Sequence, residues 1–143
     1  MSDSQPNVQR FIDALPHACD LGLQAEPGCG GGVARMSMPY DPKIVGDPRS
    51  GVIHGGAVSA LMDTCSGAAV LSHPDYVGAT ATLDLRIDYM RPATPGQTIH
   101  ARAECYHVTR SVAFVRVTAH DDLSDPPVAS GHGAFTMTHG AKS

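Results

Sequence analysis

From residue 79 onward, apolar and polar positions alternate with a period of two, the mark of strands that bury one face. In residues 79–89 the odd positions Ala79, Ala81, Leu83, Leu85, Ile87 and Tyr89 oppose Thr80, Thr82, Asp84, Arg86 and Asp88, which predicts a buried odd face. In 99–105, Ile99, Ala101, Ala103 and Cys105 oppose His100, Arg102 and Glu104. A third run sets Ala113, Val115, Val117 and Ala119 against Phe114, Arg116, Thr118 and His120, and a fourth turns Ala129, Gly131, Gly133, Phe135 and Met137 inward. Turn-forming segments at 92–96 and 122–127 separate these runs. Four successive strands with short connections predict an antiparallel meander, because parallel neighbours need long crossovers.

The first half carries a different period. Val58, Leu61, Met62, Cys65, Ala68, Ala69 and Leu71 recur at helical spacing over 55–72, and Pro74 stops the helix. Its small residues, Ala57, Ala60, Gly67, Ala68 and Ala69, suit enclosure by a sheet, so the helix is expected inside the protein. A further strand is expected over 33–39, a leading helix over 5–15, and a hairpin turn at 28–32. The predicted class is α+β, one antiparallel sheet wrapped around a long central helix.

At 143 residues the chain is expected to form a single domain over 1–143, with 1–15 as a leading segment and 139–143 as a flexible tail. Hydrophobic residues make up 42% and charged residues 17%, a globular balance. Ten Lys and Arg against fourteen Asp and Glu give a net charge of −4, without a basic run to follow a phosphate backbone, so nucleic acid is excluded as an expected partner. No apolar run reaches the length of a bilayer span, and no membrane partner is expected. Cys19, Cys29, Cys65 and Cys105 lie too far apart for a CxxC motif, which points to a reducing cytoplasm.

Candidate chemistry is concentrated in Gly51-Val52-Ile53-His54-Gly55-Gly56 and the helix that follows. Glycines at a helix start admit a close approach to the backbone, where free N–H groups and the dipole favour developing negative charge. Such a loop serves either as an oxyanion site or simply as a tight entry into a helix. Asp63 stands in the middle of the apolar helix with no cation three or four residues away, and Ser59 and Ser66 share its stripe. Either the hydroxyls or a strand satisfy this carboxylate structurally, or it works in a cleft. Eight histidines without HxxxH or HExxH spacing predict no metal site, and Cys65 reads as an inert core thiol.

The run GVIHGGAVSALMDT, the strand 82–93 and the closing 129–135 resemble hotdog-fold acyl-CoA thioesterases of the phenylacetate-degradation type, over about residues 15–138. That resemblance implies a homodimer or homotetramer with sites at the subunit interface, acting on an acyl-CoA without metal or cofactor. It implies that the N–H of Gly55, with Gly56, polarises the thioester carbonyl while Asp63 of the partner subunit attacks or activates water. His54 would shape the loop, and Thr82 or Ser66 would hold the water. Asp47, in Gly46-Asp47-Pro48, falls where the family often carries an Asn or Gln that contacts the thioester. Met62, Leu85, Met90 and Phe114 are expected around the acyl group, and Arg49, Arg91 and Arg110 are candidates for coenzyme A phosphates. Two other readings are a hotdog enoyl-CoA hydratase or dehydratase using His54 and Asp63, and a non-catalytic acyl-CoA binding module.

Overall fold

A run of apolar and small residues, interrupted by Asp63, between a capped start and Pro74 makes the central helix, α3 (Gly55–Leu71). The computed structural model describes residues 3–76, 78–122 and 124–137. Ahead of α3 come α1 (Gln5–Asp13), α2 (Pro16–Asp20), β1 (Gln24–Ala25), β2 (Val33–Met38), a 3-10 turn (Pro42–Ile44), β3 (Val45–Asp47) and β4 (Val52–Ile53). Behind it follow β5 (Thr82–Tyr89), β6 (Ile99–Val108), β7 (Val112–His120) and β8 (Ala129–Thr136). Val58, Leu61, Met62, Cys65, Ala68, Ala69 and Val70 of α3 are buried against the sheet, chiefly on β2, β6 and β7. Burial also pushes the Cys65 thiol far above its usual range.

The sheet has six antiparallel strands in the order β1-β2-β6-β7-β8-β5. This corrects the simple meander: β6, β7 and β8 follow one another, but β5 skips two strands to pair with β8, and β2 takes its place beside β6. The connection over 90–98 is long enough, since nine residues reach about 30 Å while three strand spacings need about 14 Å. Glycines of β8 make the seat. A Cβ on Gly131 would stand 2.7 Å from the Arg86 carbonyl oxygen, and one on Gly133 2.8 Å from that of Asp84. Only glycine lets β5 lie that close.

As the outer strand, β5 does not bury the expected odd face. Leu83 is 58% exposed and Tyr89 51%, with Met90 beyond it at 58%, while Leu85 and Ile87 are half-buried. The other three strands bury the predicted faces. Strand β6 continues past Cys105 through a register shift before His107, where the period of two slips. The leading segment is a docked element: Val8 and Ile12 are buried, α1 ends at Asp13 where the helix was expected to run to 15, and Pro16 opens a further helix, α2. The expected tail, 139–143, lies outside the described residues. No helix among the described residues is long and apolar enough to cross a membrane.

Candidate functional site

The entry to α3 is built on a two-stranded hairpin, β3 with β4, tied by Tyr40 Oη donating to the Gly51 carbonyl at 2.8 Å. Gly46 lies against the next loop so closely that a Cβ would come within 2.7 Å of the His54 Cα. The His54 N–H bonds the Ile44 carbonyl at 2.8 Å, which fixes where the helix starts.

His54 is the N-cap. Its Nδ1 accepts from the Gly56 N–H at 2.8 Å, and its carbonyl accepts from the Ala57 N–H at 3.0 Å. Gly55 remains as the helix-start N–H without a partner among the described residues. A side chain is excluded neither by φ nor by clash there, since a Cβ would meet the Tyr89 ring at an ordinary 3.4 Å. Tyr89 Oη donates to the Gly55 carbonyl at 2.8 Å and also bonds Ser59 Oγ. Val52, Ile53, Gly55, Val58, Tyr89 and Met90 line a cavity of about 350 Å³ beside this start. Its walls are mostly apolar, the usual lining of a small-molecule pocket.

Asp63 is half-buried, and Thr82 Oγ1 donates to its Oδ1 at 2.8 Å. Thus β5 brings to the carboxylate a hydroxyl that lies 19 residues away in sequence. The expected stripe of Ser59, Asp63 and Ser66 divides instead. Ser66 is buried and returns its hydroxyl to the Met62 carbonyl at 2.7 Å, while Ser59 turns to Tyr89.

Asp47 is also occupied elsewhere. Its Oδ1 accepts from the Arg49 N–H at 3.0 Å and its Oδ2 from Ser50 Oγ at 2.8 Å. Those bonds, the Ser50 hydroxyl first, hold its carboxyl below the usual range, so Asp47 is an acceptor closing its own turn and cannot donate to a carbonyl. Among the expected acyl-contacting residues, Met90 lines the cavity, Met62 is fully buried in the core, and Leu85 is half-buried. Phe114 lies on the sheet face away from α3, against the His107 ring at a centroid distance of 5.9 Å.

Arg91, a candidate for phosphate binding, is spent within the chain. Its two terminal nitrogens meet both oxygens of Asp121 at 2.9 and 2.6 Å, and they also bond the carbonyls of Pro92 and Pro126. The Thr94 N–H reaches Asp121 Oδ2 at 2.7 Å. The Arg91 guanidinium, foremost, holds the buried Asp121 carboxyl well below the ordinary range. This clasp pins the chain that leaves β5 past the cavity. Sequence reasoning missed both the clasp and Tyr89. A bulky aromatic ending a strand was the available sign of Tyr89, while the clasp joins residues 30 apart with no local pattern. No grouping of three His, Cys, Asp or Glu that could hold a metal occurs among the described residues.

This chain belongs to the thioesterase superfamily, whose family model matches residues 50–124. A solved Pseudomonas aeruginosa protein is 40% identical, superposes with a TM-score of 0.83, and covers 94% of this chain and 98% of its own. The medium/long-chain acyl-CoA thioesterase YigI of Salmonella typhimurium is 25% identical over 127 residues, which is 80% of this chain and 81% of that protein. The PaaI protein of the Escherichia coli phenylacetic acid degradation operon shares 20% identity and a TM-score of 0.73, over 93% of this chain and 97% of its own, a likeness of fold. The sheet and its enclosed helix are the hotdog fold, and thioester hydrolysis is the general chemistry that the family supports.

Proposed function

We propose that paired copies of this chain hydrolyse an acyl-CoA thioester to a free acid and coenzyme A. The observation that carries the reading is the unpartnered Gly55 N–H at the helix start, eight residues from Asp63. At 1.5 Å per residue, eight residues separate the two groups by about 12 Å along the axis. The donor must lie within about 3 Å of the carbonyl oxygen and the base within about 3 Å of the attacking water, a span shorter than this separation, so the two groups are supplied by different chains. The carboxylate therefore comes from a second copy.

The outer edge of β5 supports the same pairing. Among the described residues it has no strand partner, and it presents Leu83 and Tyr89, a template on which a second β5 adds a strand. A homodimer, or a homotetramer of two such pairs, then holds two shared sites.

In the reaction the thioester oxygen accepts from the Gly55 N–H, assisted by the positive end of the α3 dipole. The Thr82 hydroxyl holds Asp63 Oδ1 and leaves Oδ2 to take a proton from water. The water oxygen bonds to the carbonyl carbon, the C–S bond breaks, and the thiolate departs and takes up the proton. A thiolate leaves readily, so no strong general acid is required. Gly56, whose N–H is committed to His54, serves the cap. The absence of a paired cysteine framework fits a cytoplasmic setting.

Thiol release from medium-chain, long-chain and phenylacetyl-CoA tests the reading, with the first two suggested by the activity in YigI's name. Wild type should release thiol, and Asp63→Asn should lose at least about a hundredfold in turnover. Tight binding without release would replace this reading with a binding module, and conversion of an added trans-2-enoyl-CoA to its 3-hydroxyacyl thioester, without thiol release, would replace it with a hydratase. Single turnover in oxygen-18 water should label the free acid directly. Label in the Asp63 carboxylate would make that residue the nucleophile.

A further inference from the structure

On the sheet face turned away from α3, six side chains stand on two neighbouring rungs. Arg35 of β2, Arg102 of β6 and Thr118 of β7 are opposite one another in register, and beside them stand Ser37, His100 and His120. Their inward neighbours, including Ala34, Met36, Ala101, Ala103, Val117 and Ala119, are buried, which sends this set outward. With Glu26 and Pro27 at the rim, five of the six border a depression of about 360 Å³. It is separated from the Gly55 and Asp63 region by the thickness of the sheet and by α3.

Two like charges directly across neighbouring strands repel. Along this rung the carboxylates do little to offset that repulsion. Glu26 Oε2 is engaged with His100 Nδ1 at 2.9 Å. Glu104 is shared between Arg102 at 3.7 Å and Arg116 at 3.6 Å, and no carboxylate among the described residues lies within ion-pair distance of Arg35. Arg35 is nevertheless placed, because its stem runs over Gly28, where a Cβ would stand 3.2 Å from Cδ and 3.3 Å from Nε. In a chain of net charge −4, two guanidinium groups, two imidazoles and a hydroxyl thus converge on one recess.

We propose that this recess binds a phosphate group, with Arg35 and Arg102 as the paired cationic clamp and His100, His120 and Thr118 as further donors. Planar guanidinium forks suit phosphate oxygens bidentately, and a dianion between the two arginines turns their repulsion into attraction. The ligand class is a phosphate or small phosphate ester. Nothing in this inference depends on the chain being a thioesterase.

Backbone amide shifts of the isotope-labelled protein provide the test, during titration with sodium phosphate near neutral pH against sodium chloride at matched ionic strength. Saturating shifts are expected at residues 35, 100, 102, 118 and 120 with phosphate, and none of that pattern with chloride. Arg35→Gln with Arg102→Gln should weaken the binding at least about tenfold, or about 1.4 kcal/mol, without changing thiol release. Should the double variant fail a melting check, Arg35→Gln alone carries the comparison. A parallel titration with ADP distinguishes the sources: tighter binding at the same residues extends the ligand to a nucleotide, and equal binding confines it to the phosphate. Shifts that chloride reproduces, or binding that survives the substitutions, would overturn the proposal and leave a solvated face.

Discussion

If each site draws Gly55 from one chain and Asp63 from its partner, two inactive variants should rescue each other. The variants are Gly55→Pro, which deletes the proposed donor N–H, and Asp63→Asn, which deletes the proposed base but keeps an acceptor for Thr82. Proline suits this position. Gly55 is the first helical residue, and His54 before it has ψ 133°, the extended conformation proline imposes on its predecessor. Removing one oxyanion donor costs about 10²–10³ in rate, and removing a general base costs about 10²–10⁴, so each homodimer should be nearly silent. A mixed pair has one site with both defects and one with neither. Co-expression with two affinity tags and purification through both isolates mixed pairs, which should show about half the wild-type turnover. A site contained within one chain would have a defect in every copy. Mixed pairs no more active than the single variants, with melting curves showing both proteins folded, would refute the 12 Å argument and the shared site with it.

Three further outcomes follow from the geometry. Tyr89→Phe removes the hydroxyl that bonds Gly55 and Ser59, and should cost about 1 kcal/mol in denaturant unfolding and lower thiol release, with no change in either measurement refuting its part in holding the helix start. Asp121→Ala should cost about 2 kcal/mol by leaving Arg91 without its clasp. Because the Asp121 carboxyl titrates below its unfolded value of 3.8, its stabilisation is present above that pH and is lost as pH falls through the lower folded value. Acid unfolding followed by circular dichroism should therefore be less steep below about pH 4 in the variant than in wild type. Finally, a thiol reagent should modify Cys19 quickly in the native protein and all four cysteines in denaturant. Cys29, Cys65 and Cys105 are buried, and the Cys105 thiol is pushed up to about 11 by desolvation.

Much of the architecture was legible before any coordinates. Helix and strand periods are local properties, so α3, β6, β7 and β8 could be read from the spacing of apolar residues alone, as could the inward glycines of β8. His54-Gly55-Gly56 and Asp63 stood out for the same reason. Glycines before a helix and a carboxylate within an apolar one contradict the expected local pattern, and such contradictions are visible in one dimension.

The amino-acid order by itself thus determined the central helix, the strands β6, β7 and β8 with the faces they turn inward, and where unusual groups sit along the chain. It did not determine partners. That β5 pairs with β8 and leaves Leu83 and Tyr89 in the open depends on a long connection and on glycines far along the chain, Gly131 and Gly133. That Thr82 reaches Asp63, that Ser66 turns into the core, and that Asp47 closes its own turn depend on hydrogen bonds chosen among several competing ones. The Arg91–Asp121 clasp and the facing arginines at 35 and 102 likewise arise where distant strands meet. Periodicity records how each residue meets the core in its own element, whereas strand order and side-chain partners are settled only when all the elements compete for the same space.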